Sequence, residues 1–148
     1  MGISYDVFTR AFLNKVNAYE LASLSEPLKT TIVDSYMKIA CAQFNKICKY
    51  DLISGNEDMR TLNAEIPATE IDEIADIVSE GMVVQWLKPF MFNTDLLTIH
   101  INTKDFSTSS QAEVLRRAQS IHNESRNNFT NMMRAYSYDY GDLTVLHL

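Results

Sequence analysis

Apolar residues recur at intervals of three and four along most of this chain, the spacing that lines one face of an α-helix. The first stripe is Tyr5, Phe8, Phe12, Val16 and Tyr19. Ser4 offers the side-chain oxygen an N-cap needs, and Ile3 and Phe8 occupy the two positions of a hydrophobic staple. The second stripe is Leu28, Ile32, Tyr36, Ile39, Ala40, Phe44 and Ile47. It follows Ser23-Leu24-Ser25-Glu26-Pro27, where either a Ser23–Glu26 capping box or a Ser25 cap with Pro27 in the first turn opens a helix. A third helix is predicted from Pro67–Thr69 to Lys88, amphipathic at first and then apolar nearly all round, so it belongs at the centre. That placement buries Trp86. Gly81 inside this helix costs about 1 kcal/mol relative to Ala, which a close helix–helix approach explains. Pro89 ends or kinks the helix.

The fourth helix is the longest. Ser110 and Glu113 form a capping box, and Leu115, Ala118, His122, Ser125, Phe129, Met132 and Tyr136 keep strictly to the three–four spacing. Gly141 suits its stop, which makes a rod of about 28 residues and about 42 Å. Residues 51–66, with Gly55, Asn56 and several charges, read as an exposed loop, and residues 90–105 lean towards a short helix. The prediction is an all-α fold: one domain over 1–148, a helical bundle of about four main helices with a long C-terminal helix and an extended tail at 141–148. With only 4 Gly and 3 Pro in 148 residues, a fold made of tight turns between strands is disfavoured.

Charge sharpens this picture. The net charge is −6. Residues 51–80 hold nine acidic side chains against the single Arg60, whereas residues 81–148 balance at six and six. An acidic middle argues against a nucleic-acid-binding groove, which needs clustered cations. No apolar run reaches the ~20 residues of a membrane span, and the first residues lack the basic and apolar blocks of a secretory leader.

Candidate chemistry is sparse. His100, His122 and His147 match no zinc spacing, and His122, on the inner stripe of its helix, is expected as a hydrogen-bonded, semi-buried side chain. Asp72, Glu73, Asp76 and Glu80 share an acidic face, which reads as a solvated surface or a channel wall sooner than as an acid–base pair. Cys41 and Cys48, two helical turns apart, are expected on one helix face as buried free thiols. No nucleotide-binding or nucleophile motif occurs, so no enzyme, metal or cofactor is expected. Arg116, Arg117, Arg126 and Arg134 decorate the last helix as interface or ion-pair residues. Tyr136, Tyr138 and Tyr140 precede an apolar tail containing Leu143, Val145, Leu146 and Leu148. Tyrosine offers contact area at little entropy cost, so these seven residues are the candidate partner interface, by strand addition to a sheet edge or otherwise. The tail folding back on its own bundle is the alternative.

Several stretches resemble the small head–tail connector (adaptor) proteins of tailed bacteriophages: Ile3-Ser4-Tyr5-Asp6 with Phe8 and Phe12, Ile32 to Met37, Asp72 to Met82 followed by Trp86-Leu87-Lys88-Pro89, and Asn128 to Tyr138 with Gly141 to Thr144. The resemblance spans nearly the whole chain and consists of packing patterns. It implies a virion protein of the neck, made in the host cytoplasm. Its subunits form a ring, typically a dodecamer, beneath the portal protein, with a stopper or tail-completion protein on the other side and phage DNA passing through without sequence-specific binding. It also implies that the C-terminal segment reaches the portal and that Asp72, Glu73, Asp76 and Glu80 face the DNA channel or a neighbouring subunit. The competing expectations are another neck or head-completion protein, or a non-viral helical protein-binding module.

Overall fold

The structure, a computed structural model, describes residues 2–16, 26–92 and 111–140. Four helices hold most of them: α1 Asp6–Lys15, α2 Glu26–Phe44, α3 Ala68–Phe92 and α4 Gln111–Tyr140. Three two-residue strands accompany them: β1 Ile3–Ser4, β2 Gly55–Asn56 and β3 Thr61–Leu62. The architecture is an all-α bundle with a miniature sheet at one side.

α3 is the hub, packed against α1, α2 and α4. Its residues Ile74, Ile77, Val78 and Met82 are fully buried, and they meet Phe8 and Phe12 of α1, Met37 and Phe44 of α2 and Phe129 and Tyr136 of α4 in one apolar core. Gly81 is the crossing point. A Cβ there would lie 2.9 Å from the Ala40 Cβ of α2 and 2.8 Å from the Phe129 ring of α4, so two helices approach α3 from both sides at a residue with no side chain. α4 runs antiparallel to α3, because Tyr136 near its end reaches Lys49, whose ammonium pairs with Glu70 near the start of α3. Ala118, His122, Ser125, Phe129 and Tyr136 are buried as their spacing predicts. At 30 residues, α4 is a rod of about 45 Å.

Several expectations are corrected. Ser4 is not the N-cap of α1; that residue is Tyr5, and the Ser4 hydroxyl accepts the Asp6 N–H at 3.2 Å. Ile3–Ser4 is drawn into antiparallel pairing with Thr61–Leu62, a partner nearly 60 residues away that local pattern cannot reveal. The same pairing corrects the exposed loop at 51–66. Most of it is exposed, but Leu52 and Leu62 are fully buried, and β3 is the central strand, with β1 on one side and β2 on the other. The buried face of α2 is Val33, Met37, Ala40, Cys41 and Phe44, while Leu28 and Ile39 stand 49% and 44% exposed. Nearly every turn of α2 offers an apolar residue on more than one side, so the neighbours α1 and α3 chose the face. Trp86 is only half-buried, edge-on to Phe12 with ring centroids 6.4 Å apart, because the side of α3 that carries it is only partly covered. Pro89 does not stop α3, which continues to Phe92; it lacks only the N–H that the Gln85 carbonyl would accept. Cys41 is buried as expected, but α2 ends at Phe44 and leaves Cys48 beyond it, half-buried against Tyr136; both thiols are free. Residues 93–105 and the tail 141–148 lie outside the described residues.

Two outcomes follow from this core. Gly81→Ala should destabilise by about 1–3 kcal/mol in denaturant melts, since overpacking outweighs the gain of about 1 kcal/mol in helix propensity. Adding Phe129→Leu, which withdraws the ring, should recover part of the loss; a Gly81→Ala protein more stable than wild type would contradict the crossing. Burial pushes the Cys41 thiol up to about 12. The unfolded chain therefore loses this proton first as pH rises. The stabilisation is complete below the ordinary thiol value near 8.5 and falls by about 1.4 kcal/mol per pH unit up to about 12. The stability of wild type should decline more steeply over that window than that of Cys41→Ala, as read from urea melts.

Candidate functional site

The two surfaces singled out in the sequence are the end of α4 and the acidic face of α3. At the end of α4 the structure separates the tyrosines. Tyr136 is 1% exposed and belongs to the core, a correction to its place in the partner interface. Its ring meets Phe44 edge-on with centroids 4.9 Å apart. Its hydroxyl accepts the Lys49 backbone N–H at 3.2 Å and lies 3.7 Å from the Cys48 sulfur. Burial raises the Tyr136 phenol above its ordinary value, so it stays a neutral hydrogen-bonding group. The three–four spacing that placed Tyr136 on the inner stripe already pointed to this. Tyr138, two positions on, is 67% exposed. Tyr140 closes the helix, and Leu143, Val145, Leu146 and Leu148 lie outside the described residues. The end of α4 is thus pinned to the segment after α2 and presents Tyr138 to solvent.

The acidic face of α3 is real but partly neutralised. Asp72 and Asp76 are exposed, and Glu73 and Glu80 are half-buried. Lys15, in the last turn of α1, reaches across to Asp76 Oδ1 at 2.7 Å, to the Asp76 carbonyl at 3.0 Å and to Glu80 Oε2 at 3.1 Å. Two of the four carboxylates therefore tie α1 to α3, which leaves the exposed Asp72 and the half-buried Glu73 nearer the start of the helix. Near it, Glu70 pairs with Lys49 at 3.2 Å and accepts a hydrogen bond from the Tyr50 hydroxyl. The Tyr50 contact, followed by Lys49, holds the Glu70 carboxyl below its usual range.

Sequence reasoning missed Arg60, a polar group with three side-chain oxygens around it. Its guanidinium grips both Asp34 oxygens, Nε at 2.7 Å and an Nη at 2.8 Å, and reaches Asp6 at 2.8 Å with the other Nη. It also sits over the Tyr5 ring, 5.8 Å from the centroid. The Arg60 backbone has φ 53°, a left-handed conformation uncommon outside glycine, and its carbonyl accepts the Tyr5 N–H at 2.9 Å. Arg60 therefore binds the 51–66 segment to the start of α1 and the middle of α2. The signal was present, since it is the only cation among nine acids in residues 51–80, but its partners are distant in sequence.

α4 turns a polar side to solvent. Arg116, Ser120, Asn123, Asn127 and Arg134, all exposed, share one face opposite the core stripe, and a shallow depression of about 620 Å³ runs along Arg116, Ser120, Asn123 and Asn127. Among the described residues no group of three His, Cys, Asp or Glu side chains is placed to hold a metal ion. Also among them, no helix is long and apolar enough to cross a membrane.

The two tyrosines should behave oppositely. Tyr136→Phe removes an acceptor from a part-buried N–H and should cost about 1 kcal/mol, and Tyr136→Ala about 3–5 kcal/mol, in thermal or denaturant melts. Tyr138→Ala should stay within about 0.5 kcal/mol of wild type, as exposed positions do. Comparison of the chain with protein-family models, with curated proteins and with solved structures gives no match.

Proposed function

We propose that this protein is a head–tail connector (adaptor) subunit of a tailed bacteriophage: a virion protein that assembles as a ring between the portal protein and a stopper or tail-completion protein, with DNA passing through. The reading rests on the resemblance of its packing patterns to those proteins. The observation that supports it best is the end of α4. Tyr136 locks this helix to the segment after α2. Tyr138 stands exposed beside it, and the apolar sequence Leu143, Val145, Leu146, Leu148 follows. A rigid post that ends in an exposed aromatic and an apolar segment suits docking on another chain, where strand addition would satisfy the backbone as well as the side chains.

The charge distribution is compatible with a lumen for passing DNA. Each Lys or Arg on a phosphate adds affinity and would slow transit. On the acidic face of α3 Lys15 is consumed by Asp76 and Glu80, and between α1 and α2 Arg60 is consumed by Asp34 and Asp6.

Removing residues 142–148 tests the proposal. The truncated protein should melt like the full chain yet fail to join portal rings in sedimentation assays, and phage carrying it should yield filled heads without tails. Normal attachment of the truncated protein would acquit the tail as the docking element. Loss of folding would place the tail in the subunit's own core. Failure of the intact protein to bind any portal ring, with the bundle folded, would remove the connector reading itself and favour a helical protein-binding module.

A further inference from the structure

The seam between α3 and α4 contains polar groups that the fold does not use. His122 is 6% exposed, and its ring nitrogens make no hydrogen bond of good geometry, although the Asn123 side chain comes near enough to favour the charged imidazole; Gln85 Nε2 is likewise buried and unpartnered. Native interiors rarely leave such atoms unserved. This departs from the hydrogen-bonded imidazole expected at that position.

Helix geometry places them together. Gly81 meets Phe129 where the antiparallel α3 and α4 cross. Two turns onward along α3 is Lys88, and two turns back along α4 is His122. Gln85 and Ser125 lie one turn from the crossing on the same faces, and Arg126 follows His122 by one turn. Turning Gln85 towards the imidazole would join two of the three nitrogens and still leave one imidazole nitrogen unserved.

We propose that this seam is a site for a phosphate-class oxyanion, held by His122 and Gln85 and entered between Lys88 and Arg126. Every group is suited to an anion. The Gln85 amide nitrogen donates. Lys88 and Arg126 are exposed cations, and no ion pair holds either of them among the described residues. The charges that act on His122 are the cations Arg126 of its own helix and Lys88 of α3, with the neutral Asn123 beside it. Burial first, then Arg126 and Lys88, push the imidazole below its ordinary pKa, so it is neutral in the empty site. A bound dianion reverses that balance. The imidazole takes one proton from solvent and presents two N–H donors, so anion binding and proton uptake are coupled. The three nitrogens are closed to solvent in this conformation, so the anion enters by parting the rim. The inference stands apart from the connector reading.

The test is an NMR titration of the His122 imidazole in the full chain, with inorganic phosphate against chloride at equal ionic strength. Phosphate at millimolar concentration should raise its pKa, and thermal stabilisation by phosphate should be larger near pH 6 than near pH 8. Lys88→Gln and Arg126→Gln are surface changes that should leave the fold intact, and each should weaken phosphate binding about tenfold, the loss of one charge-assisted hydrogen bond. His122→Gln should remove the excess stabilisation near pH 6 and leave only the pH dependence of phosphate's own second ionisation. An unmoved His122 pKa, or equal stabilisation in the Lys88→Gln/Arg126→Gln double variant, would overturn the site. Acetate acting as well as phosphate would overturn the assignment to phosphate.

Discussion

At Gly81 the backbone of α3 is bracketed by the Ala40 methyl of α2 and the Phe129 ring of α4, both under 3 Å from where a Cβ would stand. The rest of the bundle depends on that double approach. It brings Met37, Ala40 and Phe44 of α2 and Phe129 and Tyr136 of α4 onto the same stretch of α3, and it sets the register in which the two outer helices run. A helix interior seldom tolerates glycine without a reason, and here the reason is contact on two sides. The crossing also fixes the remote ends. With Phe129 held at Gly81, Tyr136 two turns on arrives over Phe44 and the Lys49 N–H, and His122 two turns back arrives opposite Lys88.

Outside the core, the polar contacts tie parts distant in sequence. Lys15 joins α1 to α3 through Asp76 and Glu80, and Arg60 joins the 51–66 segment to Asp34 and Asp6. Isolated exposed ion pairs contribute little. The Arg60 node differs in being bidentate, partly sheltered and shared between two carboxylates, which makes it a fastening for a segment with few apolar anchors of its own beyond Leu52 and Leu62. The consequence for function is a redistribution of charge. The acidic face of α3 is half spent on internal contacts, and α4 shows solvent a stripe of amides and arginines.

By itself the sequence determined the helices, because their apolar residues recur at the period of the α-helix, and five residues of the α4 stripe, Ala118, His122, Ser125, Phe129 and Tyr136, are buried as their spacing predicts, with Met132 half-buried. It also determined that Gly81 sits at a close approach, since nothing else offsets the cost of glycine there. Only the tertiary structure decided which face of α2 turns inward, because an apolar residue on several sides makes the choice a matter of neighbours. It alone placed Ile3–Ser4 in a strand and Arg60 between two aspartates, since both depend on partners more than 20 residues away. Tyr136 shows the division most clearly. Its spacing placed it inside and its residue type suggested an interface, and packing against Phe44 settled the matter in favour of the core. Spacing reports which residues share a face, and only the assembled helices determine what that face meets.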